Sequence, residues 1–229
     1  MSINKMTEFF GGCASGVVQS LIGHPFDTIK VLLQTNKPFY RNPFHYYKGV
    51  SFPTTFSILS TGITFDIQSK FFNKTQSHFI AGFGSGGIVS PLIYYFDVGK
   101  IHYQTRPGIS LSLKHFKGTH GMVATFLRES ISTSVYMGVY FSMEERNGPL
   151  FSGGSAGLAS WASTYPIDVV KTRQMSKRDT NLSFVKAWKM GNLWKGFSVC
   201  ALRAVLVNAA GFWSYNKVKN STFLTSAKK

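Results

Sequence analysis

The sequence predicts an all-α membrane protein in which six transmembrane helices form three tandem, pseudo-threefold repeats. Three observations predict it: six long apolar runs, a glycine-acid-base pattern that recurs three times, and a short aromatic-base-glycine element that recurs once in each of the same units. Charged residues make up only 15% of the 229-residue chain and hydrophobic ones 44%, whereas a soluble domain carries about 25% charged residues.

The runs come first in chain order. Phe9–Phe26, Ser51–Phe65, His78–Phe96 and Pro149–Ile167 contain no Asp, Glu, Lys or Arg; Gly118–Phe141 is interrupted by Arg128 and Glu129, and Phe197–Tyr215 by Arg203. Their lengths approach the roughly 20 residues that cross a bilayer as a helix. Their glycine, serine and threonine content suits helices whose backbones approach closely in lipid. A soluble bundle of buried helices would show similar runs, and periodicity alone does not separate the two.

The internal repeat shifts that balance. Gly12 and Gly16 stand 13 and 9 residues before Pro25, as do Gly82 and Gly86 before Tyr95, and Gly153 and Gly157 before Pro166. Each anchor is followed two residues later by an acid and five later by a base: Asp27 and Lys30, Asp97 and Lys100, Asp168 and Lys171. The units are about 70 residues long and span residues 9–72, 79–144 and 151–219 of a single domain, 1–229. Acid and base three apart share a helix face. Inside a membrane they must face the bundle interior and find partners. Pro25 and Pro166 are expected to kink their helices; Tyr95 predicts a straighter second copy, or one bent earlier at Pro91.

Tyr47-Lys48-Gly49, Phe116-Lys117-Gly118 and Trp194-Lys195-Gly196 form the second signature, in register with the first. Together the six matches, over residues 9–219, resemble the mitochondrial carrier family, with compact loops similar to those of its giant-virus-encoded member. The resemblance implies a gate closed by Asp27–Lys100, Asp97–Lys171 and Asp168–Lys30, braced by Gln34 and Gln104; Met175 holds the third brace position, with Gln174 one residue early. It places substrate contacts at Phe56, Arg128 with Glu129, and Arg203, and an opposite gate at Gln68, Ser69, Phe72, Tyr140, Phe141, Glu144, Tyr215, Asn216 and Lys219. Those residues cannot complete a ring of ion pairs, so weak closure is expected on that side. Lys48-Gly49, Lys117-Gly118 and Lys195-Gly196 would hold phospholipid, cardiolipin by resemblance, at helix N-termini. The implied protein is a monomer of the inner mitochondrial membrane with both termini on one side, working by alternating access without a cofactor. Between the gate base and the aromatic element only 16 residues, Val31–Tyr46, separate the first pair, so the family's surface helix is expected to shrink to a turn there.

Composition bears on the solute. Lys and Arg number 25 against 9 Asp and Glu, a net charge of +16. That balance admits nucleic acid, an anionic membrane surface or an anionic solute; bases near helix ends favour the membrane surface over nucleic acid. Arg128 and Arg203 favour an anionic metabolite, a nucleotide or deoxynucleotide, with Phe56 available to stack a base. Arg128-Glu129 favours an amino acid or related zwitterion instead. A non-transporting interaction protein on a carrier scaffold is the alternative of another class. No nucleophile-base pair or metal-ligand spacing points to an enzyme or a metal site. Cys13 and Cys200, far apart, read as packing residues, as do His24 and His102. The start, MSINKMTEFFGG, lacks the pattern of a signal peptide.

Overall fold

The computed structural model describes residues 3–51, 63–64, 67–106, 119–177, 182–204, 206–207 and 210, with side chains from residue 18 onward except 147, 149 and 150. Phe56, Lys117, Gly118, Tyr215, Asn216 and Lys219 lie outside the described residues. The described elements are helices and turns: α1 (Ile3–Thr35), a 3-10 turn (Pro43–Tyr47), α2 (His78–Thr105), α3 (Met122–Ser176) and α4 (Phe184–Lys189), with further helical residues at 67–75 and 197–204.

The odd helices outrun the apolar stretches that announced them. α1 extends to Thr35 and α2 to Thr105, because each acid-base-glutamine face continues the helix beyond its apolar part. α1 passes through Pro25 and α2 through Pro91 without a break in helical assignment. Tyr95, at the second anchor, is 48% exposed, so its ring points away from the bundle. α3 joins two predicted segments. Gly148, with φ 73° and ψ 164°, divides it into arms 122–147 and 149–176. A left-handed residue at that point is accessible to glycine, and Pro149 then suits the first position of the second arm.

Close approach sets α2 against the first arm of α3. A Cβ on Gly82 would lie 2.7 Å from the Thr133 carbonyl oxygen, and one on Gly86 2.4 Å from that of Glu129. α2 therefore rests directly on the backbone of the first arm of α3, beside Arg128 and Glu129. In the third copy, no described residue stands within 4 Å of a Cβ on Gly157.

Burial departs from that of a soluble protein. Thr28, Gln34, Ser85, Gln104, Thr125 and Thr164 are fully buried, while Ile80, Phe83, Ile88, Val123, Phe151, Leu158 and Leu202 are exposed. Apolar side chains facing outward around a polar interior fit lipid surroundings, where polar groups must be satisfied within the protein. By length and hydropathy, α2 passes as a membrane-crossing helix. One apolar cluster, Val31, Tyr94, Val98, Ile101 and Met175, takes residues from α1, α2 and the second arm of α3 and so marks where the odd helices converge. Buried Cys200 packs with Tyr165 and Val169, as expected of a small packing residue.

The connectors differ from one another. Asn42 caps the 3-10 turn, its side chain accepting from the Phe44 amide at 3.0 Å. The first connector is thus the short turn that its length predicts. In the third, Ser183 caps α4, and Leu182, Phe184 and Leu193 pack against Ala124, Val170 and Ala187. An N-cap and an apolar face retain a six-residue helix there.

Candidate functional site

Asp27 and Lys30 project from one face of α1, Asp97 and Lys100 from α2, and Asp168 and Lys171 from the second arm of α3. Where the three helices converge, each base reaches the acid of the preceding repeat. Lys100 Nζ lies 2.7 Å from Asp27 Oδ2, Lys171 Nζ 2.6 Å from Asp97 Oδ2, and Lys30 Nζ 2.7 Å from Asp168 Oδ2. The ring is uneven. The Lys30 and Asp168 side chains are 9% and 7% exposed, whereas Asp97 is 23% exposed.

The glutamines divide. Gln34 Nε2 donates to Asp168 Oδ2 at 3.2 Å and to the Tyr165 hydroxyl at 3.4 Å, so it touches the driest pair. Gln104, expected to brace in the same way, donates to Thr28 Oγ1 at 3.1 Å. Thr28, one residue from Asp27, intercepts the amide before it reaches the carboxylate. In the third repeat Met175 joins the apolar cluster, and Gln174 donates to the Leu182 carbonyl at 3.0 Å.

Both arginines are drawn into the same network. Arg128 pairs with Glu129, and its Nε lies 3.4 Å from Asp168 Oδ1. Arg203 Nε is 2.6 Å from Asp27 Oδ1. Gly23 makes room for it, since a Cβ there would meet Arg203 Nε and Nη2 at 3.1 Å. Sequence reasoning passed over Trp161. Lys30 Nζ lies 4.3 Å from its ring centroid and the Arg128 guanidinium carbon 5.2 Å. The available signal was one of spacing: Trp161 stands seven residues, two helical turns, before Asp168.

These groups line a cavity of about 360 Å³. Among the described residues its charged lining comprises Asp27, Asp97, Glu129 and Asp168 against Lys30, Lys100, Lys171, Arg128 and Arg203, an excess of one positive charge.

The two described aromatic-base-glycine elements, at Gly49 and Gly196, bind the helices together. Gly49 has φ +85° and a Cβ there would lie 3.4 Å from the Lys100 carbonyl; Gly196 has φ +87° and would approach the Lys30 carbonyl at 3.6 Å. Each turn therefore packs beside the gate base of the following repeat. His24 bonds the Lys48 carbonyl at 3.1 Å, and the Tyr165 hydroxyl donates to that of Lys195 at 3.1 Å, which gives His24 a packing role. Lys195 Nζ reaches Asn36 Oδ1 at 2.5 Å.

At the opposite end the expected gate positions hold an aromatic array. His78 is stacked between Phe72 and Phe141, with ring centroids 4.0 and 3.9 Å away, and the Tyr140 hydroxyl donates to Glu144 Oε1 at 2.8 Å. Gln68 is buried. Weak closure was expected because charge was missing; stacked rings nevertheless link α2 to both neighbouring helices there.

The chain resembles known proteins along most of its length. The family described as mitochondrial carrier protein matches residues 2–60 and 146–225. The human mitochondrial basic amino acids transporter is 31% identical, over 72% of this chain and 70% of that protein. Its rat counterpart is 29% identical over 90% and 86%, and the mitochondrial arginine transporter of Arabidopsis thaliana 26% over 91% and 88%.

Proposed function

Because the chain belongs to the mitochondrial carrier family and is thus a multi-pass solute carrier of the mitochondrial inner membrane, we propose that it exchanges basic or zwitterionic amino acids by alternating access. The charge balance of the cavity carries this reading. Among the described residues five cations face four carboxylates, and each of the five already has a carboxylate partner. A nucleotide, with several negative charges, would find an excess of one positive charge to neutralise it. A zwitterion instead exchanges partners with existing pairs. Its carboxylate can take the fork of Arg203 or Arg128, and its ammonium the carboxylates so released.

Asp168 and Trp161 supply a place for a cationic side chain. A carboxylate beside an aromatic face is a cation receptor, occupied here by Lys30 and Arg128. A substrate cation that displaces Lys30 from Asp168 weakens the ring at its driest pair. Binding and opening are then coupled through differential affinity, which is what a ligand needs to shift a two-state equilibrium. A cavity of this size falls at the low end of small-molecule sites, roughly 300–1,000 Å³. The names of the three relatives, which concern basic amino acids and arginine, support the same reading. The nucleotide expectation gives way to the amino-acid one. Anionic phospholipid at the Lys48-Gly49, Lys117-Gly118 and Lys195-Gly196 elements remains part of this proposal.

Liposomes carrying purified protein test it. Preloaded arginine, lysine or a neutral amino acid should drive uptake of labelled arginine, while preloaded ATP or dATP should not. Exchange driven by nucleotides alone would overturn the substrate assignment, and exchange of no solute in either class would favour the scaffold alternative.

A further inference from the structure

We infer that beyond the ion-pair ring lies a second cyclic layer, in which Lys37, Arg106 and Arg173 each cap the C-terminus of the next repeat's odd helix and together set how readily the ring opens. The inference rests on the alternating-access reading above. Lys37 Nζ, from the first repeat, donates to the Thr105 carbonyl at 2.8 Å, and Tyr40 beside it donates to that of Gln104 at 2.9 Å. Arg106 Nη2, from the second, donates to the Ser176 carbonyl at 3.5 Å. Arg173 Nε, from the third, donates to the Gln34 carbonyl at 3.2 Å and closes the circle.

The acceptors are no random set. Each lies four or five residues after a ring base: Gln34 after Lys30, Gln104 and Thr105 after Lys100, and Ser176 after Lys171. The hand is also that of the ring, in which the acid of each repeat holds the base of the next. Every seam between repeats is therefore fastened twice, about one helical turn apart. The chemistry is consistent. The last carbonyls of a helix have no partner within it and carry the negative end of its dipole, and a cation on such a carbonyl makes a charge-assisted bond.

Arg173 is the strongest member. It is 2% exposed, and its guanidinium also donates to the carbonyls of Ala187 at 3.1 Å and Gly191 at 2.8 Å. A buried cation needs such partners; those at Ala187 and Gly191 hold Arg173 within its own repeat, and the bond to Gln34 is the one that breaks when the helix ends separate. Separation of those ends is also what opening the ring requires. The three cations stand 12, 11 and 7 residues after their anchors, so the layer is cyclic in space without being periodic in sequence.

The test reads which face reaches the cavity. In a background with Cys13→Ser and Cys200→Ala, a reporter Ile93→Cys in the cavity wall is labelled by an impermeant thiol reagent applied to either face of oriented proteoliposomes. Combining Lys37→Met, Arg106→Met and Arg173→Met should raise labelling from the ring face about tenfold and lower it from the opposite face. Arg173→Lys, which keeps the charge and one bond, should lie between single Arg173→Met and the parent. An unchanged side preference overturns the inference, whether total labelling is constant or rises equally from both faces through loss of fold. If the parent shows no side preference that arginine can reverse, the alternating-access reading fails as well; if the parent switches and the variants match it, only the cap layer fails.

Discussion

Asp168 is the most heavily engaged carboxylate of the site. Lys30 and Gln34 meet its Oδ2 at 2.7 and 3.2 Å, and Arg128 stands 3.4 Å from Oδ1. Breaking a buried pair from one side leaves an uncompensated charge, at a cost of about 3–5 kcal/mol. Asp97 has Lys171 at 2.6 Å and is more open to water. Asp168→Asn should therefore lower the melting temperature of the purified protein clearly more than Asp97→Asn; equal shifts in a thermal-unfolding assay would show the ring to be energetically even. Glu129 offers a second contrast. It neutralises Arg128 and lies 3.7 Å from Lys171, so Glu129→Gln widens the excess of positive charge in the cavity. Arginine exchange should fall about 10- to 100-fold, read as initial uptake rates, with less effect on a neutral amino acid.

At the scale of elements, the decisive surface is the contact between α2 and the first arm of α3. Gly86 allows the two backbones to meet, and that meeting fixes where Arg128 and Glu129 enter the cavity. Gly86→Ala should push the helices apart, reducing both melting temperature and arginine exchange. Gly157→Ala, with no described residue within 4 Å of the added Cβ, should change stability by no more than about 0.5 kcal/mol. Similar losses in the two variants would mean that the glycines act through helix propensity and not through contact. The other end of α2 makes a different point. Phe72, His78 and Phe141 stack where ion pairs were expected, and stacking is much less sensitive to salt than exposed charge pairs. Labelling of the cavity from that face should accordingly vary little between low and high ionic strength, as measured with the same reporter cysteine.

For the whole molecule, many polar groups are buried and many apolar side chains face outward, with charge concentrated at the ring. In the sequence, the segments 36–50, 106–121 and 177–196 that follow the ring bases carry many bases and a single acid, Asp179. Such asymmetry is the usual mark of the face that stays on the more negative side of the membrane. Partial burial, and then the nearby Arg106, hold the Lys37 ammonium below the ordinary lysine range. The substitution Lys219→Met, at the end opposite the ring, should alter exchange rates far less than Lys30→Met; equal and large losses would show that the opposite end closes by charge after all.

The sequence by itself determined the helices, their number of repeats and the residues of the ring. Those properties reside in local spacing: an acid and a base three apart share a face wherever the helix goes, and three copies in register require three equivalent neighbours. Tertiary structure alone decided what the network does with them. That Arg203 would lie on Asp27, that Gln104 would stop at Thr28, that Trp161 would face two cations, and that Lys37, Arg106 and Arg173 would cap successive helices all depend on contacts between distant segments at unequal offsets. Nor did local spacing reveal how closely Gly86 meets the backbone at Glu129, because that depends on which helix lies opposite. The physical reason is that periodicity encodes the direction of a side chain along its own helix, whereas the charge balance of a cavity is a sum over helices that only their convergence brings together.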